Sequence, residues 1–357
     1  MKIKRLVNCF IPVSVCNFDC RYCYVPQYEG RKKNKMPDWR LSPEKVGQAL
    51  SKERLDGVCF MNVCGDGETL LPKESPEIIR ELLKQGHILE VVTNGTLTDR
   101  FEEIFTFPSE LLDRLEFKFS YHYEQLVKKN LKDTFWKNVQ NARTHGCSIT
   151  VELTPHDELI PLIDEIKNDC MEHVGALCHI TTTYDYSKNF VLNTKLSREE
   201  YIKTWGQFES PMFDFKMKVL DQKRNEFCYA GEYLMSVDIA SGLAHQCYCG
   251  LPQNIYDDIN SPIKWRAIGK HCAYPLCFNA HALLVFGAIP SLATDIHYSD
   301  IRNRKCQDGT EWLTETVKDA FNSKFSDSNN TYGVVKKIVN EAKLVSNYAA
   351  NKVKGKK

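Results

Sequence analysis

The sequence predicts an α/β protein: a (β/α)6 partial TIM barrel, followed by a cysteine-rich region and a helical tail. From Arg5 to about Thr183, short β-branched or aromatic runs alternate with stretches of helical spacing. After about residue 187 this alternation stops, and a loop-rich region with five cysteines follows between Pro211 and Pro290. From Asp308 onward the pattern is helical. Six βα units are fewer than the eight of a closed barrel, so a partly open parallel barrel is expected.

Six strands and five main helices account for the alternating region. The predicted strands are RLVNCFIPVS, GVCFMNVCG, ILEVVTNG, RLEFKFSYH, CSITVELT and ALCHITTTYD. The predicted helices are LSPEKVGQALSKERL, SPEIIRELLKQG, LTDRFEEIF, DTFWKNVQNARTHG and ELIPLIDEIKNDCMEH. Ser42 and Pro43 stand at a helix start, and Gly86 and Gly146 stand where helices should end.

The remaining chain divides into three parts. LSREEYIKTWGQF predicts a bridging helix within residues 188–210, and YLMSVDIASGLAHQCY predicts a hairpin that turns at Ser241-Gly242. We therefore predict a barrel over residues 1–187, a bridge over 188–210, a cysteine-rich domain over 211–300 and a helical extension over 301–357. The cysteine-rich part lacks a large core and is expected to depend on metal. The last residues, NKVKGKK, are expected to form a solvated tail.

Charge and composition narrow the possible classes of protein. Lys and Arg number 47 and Asp and Glu 46, so no global charge indicates nucleic acid or a membrane surface as a partner. Asn8 and Pro12 interrupt the apolar run near the start, and no apolar stretch approaches the roughly 20 residues that span a bilayer. We therefore expect a soluble cytoplasmic protein. Fifteen cysteines in such a chain favour metal ligation over disulfides.

Three cysteines directly follow the first predicted strand. Cys16, Cys20 and Cys23 have the spacing C-x3-C-x2-C, with Tyr22 before the last. A structural zinc site needs four ligands, and a thioredoxin-like site needs only C-x-x-C. Three thiolates on one loop suit an iron–sulfur cube that keeps one iron open, although zinc remains an alternative for the triplet taken alone.

This loop resembles that of the radical S-adenosylmethionine (SAM) superfamily. That family has the same cysteine spacing, with an aromatic before the last cysteine, after strand one of a (β/α)6 barrel. The resemblance implies that Cys16, Cys20 and Cys23 hold a [4Fe–4S] cluster whose fourth iron binds SAM. The reduced cluster would cleave SAM to a 5′-deoxyadenosyl radical, which abstracts a substrate hydrogen.

Further strand ends extend the resemblance. GDGETLL, residues 65–71, stands where the family has its glycine-glycine-glutamate-proline motif, and it keeps Gly67 and Glu68. Asp66 and Thr69 replace the first glycine and the proline. By resemblance, Tyr22, Gly67, Glu68, Asn94 and Ser120 contact the cofactor. Read without the resemblance, Gly67-Glu68 is a turn with a helix cap, and Asn94-Gly95 is an ordinary turn.

A second cysteine group resembles the auxiliary-cluster region of SPASM and Twitch extensions in the same superfamily. Cys228 precedes the predicted hairpin and Cys247 follows it, and Cys272 and Cys277 come later as C-x4-C. The resemblance implies one auxiliary [4Fe–4S] cluster bound by these four thiolates, with Cys249 as a reserve ligand. A structural zinc on the same thiolates remains open.

A second cluster favours an oxidation, because it can accept an electron from a substrate radical. We expect a radical SAM oxidoreductase that dehydrogenates a small hydroxylated or sugar-like molecule and is reduced by a flavodoxin or ferredoxin. The substrate base is sought at strand ends, and the candidates are His122, Tyr184 and Asp185, with His156 and Cys249 behind them. Arg302 and Arg304 are candidates to cover the barrel mouth and meet an anionic group, and the alternative is that this charged stretch is simply solvated.

Two alternative functions remain open. The first is a ribosomal-peptide maturase that performs crosslinking, thioether formation or epimerisation. Such enzymes often carry a leader-binding domain before the cluster motif, and only fifteen residues precede Cys16, which favours a small molecule. The second alternative is a non-catalytic iron–sulfur or zinc protein.

Overall fold

The computed structural model describes residues 1–27, 34–186, 191–272, 277 and 279–353. Parts of the regions predicted above lie outside the described residues: 28–33 and 187 of the barrel, 188–190 of the bridge, 273–276 and 278 of the cysteine-rich domain, and 354–357 of the solvated tail.

Six parallel strands follow one another in chain order and confirm the predicted α/β barrel sheet. They are β1 (Arg5–Ile11), β2 (Cys59–Gly65), β3 (Ile88–Thr93), β4 (Leu115–Tyr121), β5 (Ser148–Leu153) and β6 (His179–Ile180). Each lies inside its predicted segment. The sixth is shorter than expected, because the end of its segment leaves the barrel sheet. There β7 (Tyr184–Asp185) pairs with β8 (Val191–Leu192) as a separate antiparallel pair.

Seven helices lie along the barrel part of the chain. They are α1 (Pro43–Ala49), α2 (Ser75–Lys84), α3 (Thr98–Phe105), α4 (Ser109–Leu112), α5 (Tyr123–Lys128), α6 (Lys132–Thr144) and α7 (Ile163–Val174). Gly86 and Gly146 follow α2 and α6 with φ of 87° and 81°, a conformation that glycine adopts without strain. The segment before α7 forms a 3-10 helix around Pro161, because proline has no N–H for a regular helix interior.

The predicted hairpin is confirmed, and it extends the barrel sheet. It consists of β9 (Leu234–Asp238) and β10 (Leu243–His245), and β11 (Gln253–Asn254) pairs beside β10. Gly242 at its turn has φ of 77°. Strand β9 pairs in parallel with β1, with Leu6 opposite Leu234, so the described part of the chain has a nine-stranded sheet in the order β11-β10-β9-β1-β2-β3-β4-β5-β6.

The later helices complete the molecule. They are α8 (Arg198–Trp205), α9 (Pro211–Val219), α10 (Ala280–Val285), α11 (Tyr298–Arg302), α12 (Glu315–Phe321) and α13 (Val334–Val353). A capping box between Ser197 and Glu200 fixes the start of α8, the predicted bridging helix.

The two faces of the sheet carry different side chains. Met61, Phe117 and Val151 belong to the apolar core that includes side chains of α1 to α7. On the opposite face, Leu6 and Phe60 belong to a second apolar core with side chains of α10 and α12. The rest of that inner face is polar, which leaves the barrel interior available for chemistry.

Candidate active site

The loop after β1 carries the three predicted ligands as free thiols. The Cys16 thiol accepts a hydrogen bond from Phe18 N–H at 3.4 Å, and Asn94 Nδ2 lies 3.9 Å from its sulfur. Burial raises the pKa of Cys20 to about 12, a bond from Tyr22 opposes the shift, and the Cys16 and Cys23 thiols add to it. The three thiols therefore influence one another directly, as ligands of one cluster would.

Glu68 joins the ends of three strands. Its carboxylate accepts bonds from Asn94 N–H at 2.8 Å, Thr93 Oγ1 at 2.7 Å and Leu70 N–H at 3.0 Å. Its own N–H donates to Val15 O at 3.0 Å. Burial raises the pKa of Glu68, while the bonds from Asn94 and Thr93 lower it. Glu68 thus fixes the cysteine loop to the carboxyl ends of β2 and β3.

The Asn94 side chain is engaged with the same loop. Its Nδ2 donates to Asn17 Oδ1 at 2.6 Å, and its Oδ1 accepts from Thr96 Oγ1 at 2.7 Å. Ser120 lies on the barrel-facing side of β4, opposite Glu152 of β5. For Glu68 and Asn94, positioning of the loop is what the geometry shows, and their contact with a cofactor stays a prediction.

Gly67 allows a close backbone approach. A Cβ at this position would lie 2.1 Å from Val15 O, and Gly67 N–H donates to Val13 O at 2.7 Å. Only glycine fits where the 65–68 loop crosses the cysteine loop.

Tyr22 lies between a thiol and two histidines. Its hydroxyl is 2.7 Å from His122 Nδ1, and its ring centroid is 4.7 Å from that of His156. Burial lowers the pKa of His122 to about 4, and His156 lowers it further. His122 is therefore neutral near pH 7, so that one of its ring nitrogens is an acceptor.

His156 is held at the rim beside Tyr22. Its two ring nitrogens lie 3.6 Å from Glu124 and Glu158 and have no hydrogen-bond partner among the described residues. The histidine, both glutamates and Arg21 border a cavity of about 380 Å³. Arg21, which lies between Cys20 and Cys23, makes the loop of the first cysteines part of the cavity wall.

Tyr184 and Asp185 lie on β7, outside the barrel sheet. The next residue, Tyr186, packs against Tyr24 with ring centroids 5.4 Å apart, and its N–H donates to Gln27 at 2.8 Å. This pair of strands thus borders the end of the cysteine loop. The proposed base role of Tyr184 and Asp185 stays a prediction.

The barrel interior contains a group of charged side chains that were not predicted. The Arg302 guanidinium, fully buried, donates to Glu90 at 3.1 Å and Glu116 at 3.2 Å, and also to Glu152. Arg302 was expected to cover the mouth and meet an anion, and this expectation is wrong, because protein carboxylates already surround it. The same holds for Arg304, which donates to the carbonyls of Glu209 and Phe208.

Two lysines and a histidine lie above this arginine. Lys118 Nζ is 3.5 Å from Glu152, and Lys216 Nζ donates to Thr181 Oγ1 at 2.8 Å. His281 is 6% exposed, and its Nδ1 has no hydrogen-bond partner among the described residues. Burial lowers the pKa of Lys216 to about 7, against the attraction of Glu152. A basic nitrogen that is partly neutral near pH 7 thus faces the interior.

A sequence signal for this group did exist. Strands covered on both faces are usually continuous apolar runs. The charged residues of β3 to β5 break that rule at alternating positions on one face, and they are Glu90, Glu116, Lys118 and Glu152. The lysine and the histidine from α9 and α10 carried no such signal.

The cysteines of the second group flank the β9–β10 hairpin and influence one another electrostatically. Burial raises the pKa of Cys228 to about 12, a bond from Ala230 N–H opposes this, and the Cys277 and Cys272 thiols add to it. Burial also raises the pKa of Cys247, and the thiols of Cys277, Cys228 and Cys272 reinforce that shift. The four predicted ligands therefore lie within electrostatic range of one another. The carbonyl of Cys249 accepts a hydrogen bond from Cys247 N–H at 3.0 Å.

Tyr248 directly follows the predicted ligand Cys247 and is 42% exposed. Burial of its hydroxyl raises its pKa, and Cys247 and Cys64 add to the shift. Its hydroxyl accepts a bond from Asn279. Tyr248 is therefore in electrostatic reach of both a predicted ligand and Cys64 of β2.

The donor chemistry of both groups fits iron–sulfur clusters. Within the described ranges, no three His, Cys, Asp or Glu side chains already surround a common point. Each group nevertheless offers several cysteine thiols, the donor atoms that iron–sulfur clusters require. Three thiols match a cube with one open iron, and four match a fully ligated one.

The comparisons with known proteins concern the barrel part of the chain. Residues 10–159 match the model of the radical SAM superfamily. This segment contains the end of β1, all of β2 to β5, and every predicted cluster ligand and cofactor contact of the first site. The chain therefore carries a radical SAM domain over these residues.

Of three similar solved structures, the first supports a shared fold. The enzyme anSMEcpe with bound AdoMet is 16% identical, with 74% of each chain covered and a TM-score of 0.50. SuiB of Streptococcus suis is 13% identical with a TM-score of 0.48, and the match covers 72% of this chain and 64% of SuiB, under two thirds of its length. BtrN with AdoMet and 2-DOIA is 16% identical with a TM-score of 0.36, over 72% of this chain and 76% of BtrN. At these identities the likeness concerns the fold alone.

Two further comparisons are negative. No curated protein matches the sequence. Among the described helices, none combines the length and the apolar character that crossing a bilayer requires.

Proposed function

We propose that this enzyme is a radical SAM oxidoreductase that dehydrogenates a small hydroxylated or sugar-like molecule. The observation that supports this is that Cys228, Cys247, Cys272 and Cys277 lie close enough for their thiols to raise one another's pKa, around the hairpin whose strand β9 pairs directly with β1. A fully ligated cluster at that place would accept an electron, which an oxidation requires. This gathering of thiols also supports the placement of the enzyme in the SPASM/Twitch subgroup.

The first group would hold the cluster that binds and cleaves SAM. Cys16, Cys20 and Cys23 supply the thiolates, and Glu68 and Asn94 hold their loop in place through the bonds described above. Gly67 brings the backbone of the 65–68 loop against that loop. When bound, the cluster and SAM supply the radical that abstracts the substrate hydrogen.

The polar interior would bind the substrate and take up its proton. Lys216 is the favoured acceptor, because its amine is partly neutral near pH 7 and donates to a hydroxyl group, that of Thr181, rather than to a carboxylate. Glu152 and Lys118 lie beside it and can bind substrate hydroxyl groups. His122, neutral and bonded to Tyr22, is the second candidate base.

Cofactor content and SAM cleavage test the proposal. Anaerobically reconstituted enzyme should contain about eight irons per chain, two cubes of four. With SAM and dithionite it should release 5′-deoxyadenosine. About four irons with bound zinc would remove the electron acceptor, and a complete lack of 5′-deoxyadenosine would leave only a carrier or scaffold protein.

A cysteine replacement separates the two groups. Cys228→Ala should remove about four irons while SAM cleavage continues. Cys306→Ser is the matched control, because Cys306 lies outside both groups and its thiol donates to Val174 O at 3.1 Å, a bond that serine can also make. Equal iron content in the two variants would contradict the proposed second cluster.

A further inference from the structure

Helix α13 lies against the segment that leads into the second cysteine group. Asn340 Nδ2 donates to Ala267 O at 3.0 Å, and Glu341 Oε2 lies 2.7 Å from His271 Nε2. His271 directly precedes Cys272. The helix therefore forms the outer wall of this group.

The contact continues to Cys228. Gly269 and Cys228 exchange two backbone hydrogen bonds of 3.0 Å, and a Cβ on Gly269 would overlap the Glu341 carboxylate. Lys337 Nζ lies 5.2 Å from the ring centroid of Phe227, the residue before Cys228. Only a few residues thus separate the predicted cluster from the outer face of α13.

That outer face is apolar and exposed. Five β-branched residues lie along one side of the helix, with exposures of 76, 75, 63, 42 and 56%, and they are Val334, Val335, Ile338, Val339 and Val345. The helical repeat of 3.6 places them opposite the buried Asn340 and Leu344. We call these five residues the valine stripe. A contiguous exposed apolar surface of this kind marks an interaction site.

Charge decides what kind of partner fits. Residues 334–357 contain seven lysines and one glutamate, and Lys336 and Lys343 are exposed beside the valine stripe. A second copy of the chain would bring these like charges together. Helices that lie on lipid use Trp, Phe and Leu on the apolar face, whereas this face is built from Val and Ile. An acidic protein surface is complementary to it.

We propose that the valine stripe, with Lys336 and Lys343, docks an acidic electron-carrier protein of the flavodoxin or ferredoxin type. This rests on the proposed function, in which the second cluster gains one electron from the substrate radical. The cluster must lose that electron before the next turnover, and the docked carrier gains it. Electron-transfer complexes are small and short-lived, which suits a stripe of three helical turns.

Binding to the complete holoenzyme tests the proposal. A purified flavodoxin and, separately, a purified [2Fe–2S] ferredoxin are titrated by calorimetry at about 50 and about 300 mM salt. We expect saturable binding that weakens about tenfold with salt. The double variant Lys336→Glu/Lys343→Glu should raise Kd about tenfold, and Val335→Asp should weaken binding as well.

The control variant is Lys45→Glu/Lys52→Glu, which changes two exposed lysines at α1 and just beyond its end. It should leave Kd unchanged, and all three variants should retain dithionite-driven SAM cleavage. The proposal is overturned if neither carrier binds saturably. It is also overturned if the α13 variants bind a carrier with the same Kd as the wild type. Two other results would also overturn it if neither carrier binds. One is binding of the enzyme to vesicles of phosphatidylcholine and phosphatidylserine. The other is a dimer of the enzyme that Val335→Asp dissociates.

The two proposals fail separately. If the iron content shows that the wild-type enzyme has no second cluster, the proposed electron acceptor is refuted, whatever Kd is measured for the carrier. Conversely, two clusters in an enzyme that binds neither carrier would refute only the docking surface.

Discussion

At the scale of single residues, the first site depends on glycine at position 67, where there is room for a hydrogen atom but not for a side chain. Gly67→Ala would place a methyl group 2.1 Å from Val15 O, so the cysteine loop must move. We expect this variant to lose the iron of the first cluster and at least about tenfold in 5′-deoxyadenosine formation, because misplacement by 1 Å can cost more than that. Iron analysis and product quantification check it.

Gly206→Ala is the matched control for this change. A Cβ there has no neighbour within 4 Å, and Gly206 has a helical φ of −63°. Its stability should stay equal or rise by up to about 1 kcal/mol. Full iron content in Gly67→Ala would show that the close approach is not needed.

Lys216 predicts a pH dependence of stability. Its pKa is lowered to about 7 in the folded enzyme, mainly by burial, and nearby Lys118 and Arg302 also lower it while Glu152 and Glu90 raise it. In the unfolded chain, the Lys216 amine binds a proton as pH falls below about 10.4, whereas in the folded enzyme it binds one only as pH falls to about 7. Burial of the neutral amine therefore costs stability progressively as pH falls from about 10 to 7.

The variant Lys216→Met has no amine at this position, so it does not lose stability in this way as pH falls. Its free energy of unfolding, measured by denaturant titration, should rise relative to the wild type as pH falls from about 9.5 to 7. His281, whose pKa is lowered well below its usual value by burial, stays neutral across this range in both proteins. If the difference in free energy of unfolding between the two proteins does not change with pH, the folded Lys216 amine keeps an ordinary pKa.

Much of the first site was predictable at this scale, and the barrel interior was not. Cys16, Gly67 and Glu68 follow a local spacing, so their placement needed only the order of the strands. Lys216 and His281 come from helices that reach the interior through tertiary packing. No local pattern distinguishes such residues from an ordinary lysine or histidine.

At the scale of elements, α11 supplies a further cation to the barrel interior, in addition to Lys118 of β4. Arg302 lies among three buried carboxylates, from β3, β4 and β5. Arg302→Met should destabilise the enzyme by about 3–5 kcal/mol, because removing one partner leaves buried charge uncompensated. Chemical denaturation followed by circular dichroism measures this.

Arg40→Met is the matched control for Arg302. Arg40 forms an exposed pair with Asp257 at 2.9 Å, and such pairs contribute about 1 kcal/mol or less. Similar losses in the two variants would show that the interior carboxylates are not charged as proposed. Burial raises the pKa of Glu116 to about 7 even with Arg302 present, so Glu116 is expected to take up a proton first.

The hairpin shows what sequence reveals about an element and what it does not. The turn at Ser241-Gly242 was predictable, because glycine there adopts a positive φ. The partner strand was not, because β9 pairs with β1 from the far end of the chain, and register between distant strands leaves no local trace.

At the scale of the whole molecule, the predicted barrel boundary at residue 187 can be tested directly. A fragment of residues 1–187 would keep Glu90, Glu116 and Glu152 but lose Arg302. It would also expose the edge of β1 that β9 covers. We expect this fragment to be insoluble or to unfold without a cooperative transition, whereas the full chain unfolds in one.

Gel filtration and thermal unfolding of the fragment check this expectation. A soluble fragment with a cooperative transition would establish residues 1–187 as an independent domain. The six parallel strands and their order were nevertheless predictable from the sequence, since hydrophobic runs and helix stops mark each unit.

Because Leu6 pairs with Leu234, β1 cannot complete its strand pairing until late in synthesis of the chain. Ribosomes make the amino end first, so β1, which precedes the predicted cluster loop, keeps an unpaired flank until nearly two thirds of the polypeptide has emerged. Closing so long a loop is slow, and unprotected strand flanks invite aggregation meanwhile. We therefore expect iron and inorganic sulfide to enter the proposed first cluster site after translation, when the late hairpin has covered that flank.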